Sequence, residues 1–171
     1  MAKSQKLILP ALVLIAVGSG AYYLSARTPF DKRNPAVGAP APDISLADLA
    51  GSMQSLSQFG GKVVLVNFWA GWCPPCKDEM AGFQKVFEAY GDRGMGVFAI
   101  AIDEVAPSLV KDLGVSFPVM VGNKRVLQSY GEISDVPVSF LVGKDGRIIK
   151  KVKGVYPEKD LQRDVEDALK R

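Results

Sequence analysis

The amino-acid sequence predicts an α/β fold with a mixed central sheet flanked by helices. Two segments, Val63 to Phe68 and Gly96 to Ile102, are nearly continuous apolar runs, the pattern of strands buried on both faces. Between and after them lie segments whose apolar residues recur at helical spacing. Near the carboxyl end, two strand-like runs flank Lys144-Asp145-Gly146, a good hairpin turn. Strand, helix and strand followed by a hairpin and a helix make a layered sandwich around a sheet of mixed direction.

In chain order, the first segment spans residues 1–27. Lys3 and Lys6 precede an uncharged, mostly apolar run from Leu7 to Leu24, with Tyr22 and Tyr23 near its end and Arg27 beyond. As a helix this run would reach ~27 Å, close to the ~30 Å hydrocarbon thickness of a bilayer. A membrane anchor is the reading preferred here. The rival is a cleaved export signal, with Leu7 to Val17 as its apolar region and Gly18-Ser19-Gly20-Ala21 as the cleavage site. Residues 28–42 carry Pro29, Pro35, Pro40 and Pro42 without helical periodicity, and read as an extended, semi-stiff spacer.

The folded domain is expected over residues 43–171. Ile44 to Leu46 and Met53 to Leu56 form a leading β hairpin around Gly51. Val63 to Phe68 is the first buried strand. A helix follows from Pro74 to Tyr90, with Met80, Phe83, Val86, Phe87 and Tyr90 on one stripe. After the strand Gly96 to Ile102, residues 104–113 read as a helix closed by Gly114. Phe117 to Val121 is a short strand and Val126 to Tyr130 a short helix. The hairpin Val138 to Val142 and Arg147 to Val152 precedes a last helix opened by Pro157, with Leu161, Val165 and Leu169 at helical spacing.

Composition excludes several chemistries. The formal charge of +3 is small and no stretch concentrates basic residues, so nucleic acid is not an expected partner. Histidine is absent, which removes Ser-His-Asp and Cys-His nucleophile pairs and histidine metal ligands. The chain has two cysteines, Cys73 and Cys76, too few for a zinc site within one chain. They are a redox pair, part of a metal site shared between chains, or bystanders, and the redox pair is the simplest reading. No cofactor or metal is called for.

Position favours that reading. Asn67-Phe68-Trp69-Ala70-Gly71-Trp72-Cys73-Pro74-Pro75-Cys76-Lys77 sets the pair between a buried strand and a helix. Unpaired N–H groups and the positive dipole end of a helix start favour a thiolate. Spacing of three brings both sulfurs onto one turn, with Cys73 at the exposed end as attacking thiol and Cys76 one turn inside as resolving thiol. Pro74 and Pro75 occupy the first helical positions and withhold two N–H groups from the Cys73 sulfur, which favours a reducing pair. Trp69 reads as core, and Trp72 as an exposed apolar wall of a substrate groove.

The chain resembles the thioredoxin-like family, and within it the anchored TlpA/ResA type of thiol–disulfide oxidoreductase. The resemblance runs from Gly38 onward. It is carried by Gly38-Ala39-Pro40-Ala41-Pro42-Asp43, by Phe68-Trp69-Ala70 and Trp72-Cys73, by Val136-Pro137 before a strand, and by the central insertion between Ile102 and Pro137. It implies exported, membrane-tethered reduction of protein disulfides on the periplasmic side, supplied by an upstream electron donor, often in cytochrome c maturation or copper-site assembly. An exported soluble protein is the alternative. For Pro137 it implies a cis bond beside the cysteines, and for Val136 a backbone offered to a substrate peptide. From sequence alone that proline would more simply be an edge-strand residue with a trans bond, and it is the resemblance that reverses this. Asn67 stands where cytosolic thioredoxins carry a buried acid, and the resemblance implies that Glu79, three residues beyond Cys76, supplies the carboxylate instead; the spacing alone also fits an exposed helix glutamate. A peroxiredoxin needs a threonine where this chain has Ala70, and a copper chaperone of related fold pairs its cysteines with a histidine that is missing here.

Overall fold

The computed structural model describes residues 35–171. The anchor expected over residues 1–27 and the first part of the proline-rich stretch lie outside the described residues. Among the described residues no helix is long and apolar enough to cross a membrane.

Among the described residues seven strands and four α-helices follow one another: β1 (Ser45–Ala47), β2 (Met53–Ser55), β3 (Val63–Trp69), α1 (Pro74–Tyr90), β4 (Met95–Ala101), α2 (Pro107–Leu113), β5 (Val119–Val121), α3 (Lys124–Ser129), β6 (Val138–Val142), β7 (Ile148–Lys153) and α4 (Glu158–Lys170). The central sheet has the order β5-β4-β3-β6-β7. β3, β4 and β5 run parallel, β6 runs antiparallel to β3, and β7 runs antiparallel to β6. β1 and β2 pair as a separate hairpin, with Gly51 at a positive φ of 86° in its turn.

Residues alternate across β3, so its two faces feed two cores. Val63, Leu65 and Trp69 pack under α1 and α4 against Met80, Phe83, Leu161 and Val165. Val64, Val66 and Phe68 pack on the other side with Phe98, Phe140, Tyr130 and the Ile44 and Leu46 side chains of the hairpin region. Alternation places Asn67 on the α1 side, fully buried. It also stands directly opposite Ser139 of β6 in the register.

Most boundaries shift by a residue from the sequence reading, as where Pro157 caps α4 rather than opening it, and three differ for evident local reasons. α2 begins at Pro107 rather than residue 104, with proline in the first turn where its missing N–H does no harm. β5 starts at Val119, after Pro118. α3 begins two residues earlier than expected because Asn123 caps it, its side-chain oxygen accepting from the Val126 N–H at 3.0 Å. Ordered pairing also reaches back into the proline-rich stretch: the Gly38 N–H donates to the Ile148 carbonyl at 2.7 Å, and Ile148 returns a bond to Ala39 at 2.8 Å. Tyr130 Oη donates to the Pro42 carbonyl at 2.8 Å.

Candidate active site

β3 ends at Trp69, and the loop Ala70 to Trp72 leads to Cys73, which caps α1. Pro74 and Pro75 fill the first two helical positions. The first amide able to reach back is therefore that of Cys76, which donates to Cys73 Sγ at 3.3 Å. Cys73 and Cys76 are joined as a disulfide, with Cα atoms 5.3 Å apart. Cys73 is 3% exposed and Cys76 is fully buried. The exposed end expected for Cys73 is thus, in the oxidised state, only a slight opening. Trp69 is buried in the α1-side core, whereas Trp72, next to the nucleophile position, is 65% exposed.

The Val136–Pro137 bond is cis. It brings the Val136 carbonyl oxygen to 4.0 Å from Cys73 Sγ. Among the described residues neither backbone group of Val136 takes a backbone partner, while the Pro137 carbonyl accepts from the Gly154 N–H at 2.8 Å. A pocket of about 250 Å³ adjoins this turn, lined among others by Ile133, Val136, Pro137, Lys153 and Gly154.

Glu79 lies one turn beyond Cys76 on the inward face of α1 and is only 5% exposed. Both carboxylate oxygens accept a hydrogen bond: Oε1 from Asn67 Nδ2 at 2.9 Å, and Oε2 from the Tyr156 backbone N–H at 3.0 Å. Burial disfavours the charged form and pushes the carboxyl up to about 7; the two hydrogen bonds, Tyr156 first and Asn67 second, pull the other way without cancelling it. A cleft of about 380 Å³ between α1 and the connection from β7 to α4 reaches Glu79, with Pro75, Gly82 and Tyr156 among its walls. Glu79 is therefore a buried, hydrogen-bonded acid whose ionisation is shifted upward by burial, not an exposed helix glutamate.

Two contributors were not foreseen from sequence. The Tyr156 donor is a backbone group, for which no residue type gives a signal. Its ring is anchored at the far end, where Oη donates to Asp164 at 2.6 Å and Lys150 bonds the same carboxylate. Ser139 did carry a signal, as the one hydroxyl inside the apolar run of β6. Its Oγ accepts from Asn67 Nδ2 at 3.0 Å.

A model of the Redoxin family matches residues 36–169. The chain belongs to the Redoxin family. Curated relatives include the thiol-disulfide oxidoreductase ResA of Geobacillus thermodenitrificans, 30% identical over 97% of this chain and 98% of the relative. ResA of Bacillus subtilis is 30% identical over 92% and 90%. Among solved structures, a thioredoxin-family thiol:disulfide interchange protein from Chlorobium tepidum aligns with a TM-score of 0.71 at 30% identity, covering 76% of this chain and 95% of that one. A putative protein disulfide isomerase from Bacteroides thetaiotaomicron aligns at 0.74 and 25% identity, covering 80% and 92%. This Redoxin chain, with Cys73 and Cys76 at the strand-to-helix junction of a thioredoxin-like fold, is a thioredoxin-like disulfide oxidoreductase.

Proposed function

We propose that the protein reduces disulfides in protein substrates outside the cytoplasm, tethered to the membrane by its amino-terminal segment. The buried carboxyl of Glu79, one turn beyond the resolving cysteine, supports dithiol exchange, and the observation that carries the reductase reading is the Pro74-Pro75 start of α1, which leaves the Cys76 amide as the near donor to Cys73 Sγ. In the reduced enzyme the Cys73 thiolate attacks a substrate disulfide, forming a mixed disulfide and releasing one substrate thiolate. Cys76 then passes its proton to Glu79, and its thiolate attacks Cys73 Sγ. The Cys73–Cys76 disulfide forms, the second substrate sulfur leaves as a thiolate, and the substrate has gained two electrons. Glu79 gives up its proton, and a dithiol donor upstream restores the enzyme. Substrate peptide is held by the Val136 backbone through strand addition, against Pro137, Pro74, Pro75 and the exposed face of Trp72. The placement outside the cytoplasm is supported by the apolar run Leu7 to Leu24 and by the nearly full-length match to ResA relatives. Substrates in cytochrome c maturation or copper-site assembly fit a reductant in that place.

The deciding measurement is the reduction potential of the Cys73–Cys76 couple, with turnover on a disulfide-bonded model peptide. A potential near the reducing end of the thioredoxin-fold range, about −270 mV, with peptide reduction fits the proposal. A value near −120 mV, with net oxidation of the peptide, overturns it.

A further inference from the structure

We propose that Asn67, held in place by Ser139, is a positioning residue that keeps the Glu79 carboxyl able to take up and return a proton. The inference rests on the proton-accepting role proposed for Glu79 and adds two residues to it.

Asn67 and Ser139 are both fully buried and face each other across β3 and β6. Both hydrogens of Asn67 Nδ2 are engaged, one by Glu79 Oε1 at 2.9 Å and one by Ser139 Oγ at 3.0 Å. Asn67 Oδ1 is buried without a partner. Turning the amide over would be worse, because Oδ1 would then face the carboxylate oxygen and the NH₂ group would sit where no acceptor lies. Glu79 and Ser139 thus fix the amide's orientation between them. Every other residue of β3 is apolar and buried. A buried amide with an unpaired oxygen in such a strand is unfavourable for stability alone, and violations of this kind collect where function requires them. What Asn67 supplies is a donor aimed at the carboxylate.

The surroundings of Glu79 leave little else to tune it. On its own helix Cys76 lies one turn back, and Asp78 and Lys85 border the same cleft; from the opposite wall come Glu158 and the Tyr156 N–H. Tyr156 donates from the backbone, so Asn67 is the side-chain donor on the carboxylate. A hydrogen bond to a charged group corresponds to about one to two pH units in an ionisation midpoint. Without it the Glu79 midpoint should move from about 7 to roughly 8–9. Below the midpoint an upward shift of one to two units lowers the ionised fraction about ten- to a hundredfold, and the resolving step slows with it and recovers at high pH.

The test uses the full chain carrying Asn67→Leu or Ser139→Ala, each alone and combined with Glu79→Gln. The readout is the rate at which a peptide is released from its mixed disulfide with Cys73, followed against pH. Asn67→Leu should shift the midpoint upward with the high-pH plateau kept, and Ser139→Ala should shift it less in the same direction. Neither should add to Glu79→Gln. A role in packing alone would lower stability and scale the rate at every pH without moving the midpoint. If Glu79→Gln itself leaves the profile unchanged, the proton-acceptor reading fails and this inference with it. If Glu79→Gln alters the profile while both other variants keep the midpoint, only the present inference is overturned. Should Asn67→Leu not fold, Ser139→Ala decides.

Discussion

Replacing Glu79 by glutamine should change stability and turnover with opposite signs. The carboxyl is raised from an ordinary 4.5 to about 7 in the folded protein, chiefly by burial. Between those values the folded state binds more protons than the unfolded one, so folding stability falls as pH rises through this window. The full loss, reached above about pH 7, is on the order of 3 kcal/mol, from roughly 1.4 kcal/mol for each pH unit of difference. Glutamine carries no such penalty, but it has one acceptor oxygen where Asn67 and Tyr156 both donate. One mismatch, partly relieved if the Asn67 amide turns and uses its unpaired oxygen, costs about 1 kcal/mol. Glu79→Gln should therefore be slightly less stable than the parent at pH 4 and about 2 kcal/mol more stable at pH 8. Turnover should fall about 10²-fold, the lower end for loss of a general base, because the cleft beside Glu79 admits water that can take over part of its role. Urea denaturation of the oxidised protein at the two pH values, with peptide reduction across the range, measures both effects. Equal stability differences at pH 4 and pH 8, together with superimposable rate profiles, would refute the assignment of a buried, titrating acid.

Cys76→Ser should accumulate a mixed disulfide through Cys73, and Cys73→Ser should lose peptide reductase activity, as read by non-reducing electrophoresis and turnover; trapping through Cys76 instead would reverse the two roles. Trp72→Ala should raise KM for a protein substrate about tenfold and leave stability within about 0.5 kcal/mol, since the ring is 65% exposed. In intact cells, after reduction, the thiols should react with a membrane-impermeant alkylating reagent and the mature chain should retain Met1 to Leu24. Protection until lysis contradicts the outward placement, and an amino terminus near Ala21 points to a cleaved signal.

The sheet was legible because β4, and β3 but for Asn67, are apolar on both faces, a pattern few other elements share. The junction with α1 was legible because cysteine spacing, prolines and helical stripe coincide within a few residues. Short elements were read less well. α3 depends on a capping asparagine just ahead of its apolar residues, and the pairing of Gly38 and Ala39 with Ile148 is made by backbone groups, invisible to residue patterns. The same limit hid Tyr156, whose contribution to Glu79 is an amide brought there by the connection between β7 and α4. Burial of Glu79 could not be decided from spacing, because an i, i+3 relation to Cys76 says which face the residue shares and not what covers that face.

The start of α1 and the interior of α1 address separate halves of the exchange. At the start, the prolines leave the Cys76 amide as the near donor to Cys73 Sγ, at 3.3 Å. A thiolate with fewer donors is less stabilised, so the reduced form gains less and the couple moves toward the reducing end. Two withheld donors, at about 1 kcal/mol each, correspond to roughly 40 mV, since 30 mV is about 1.4 kcal/mol for a two-electron couple. That is a sizeable part of the ~150 mV span from thioredoxin to the most oxidising members of the fold. The weaker stabilisation also makes Cys73 a better nucleophile once ionised, but it does nothing for Cys76, which is sealed from solvent. A buried thiol needs a local base to ionise. Glu79 supplies one at the same depth, and because its own charge is disfavoured there, it accepts the proton at neutral pH more readily than an exposed carboxylate could.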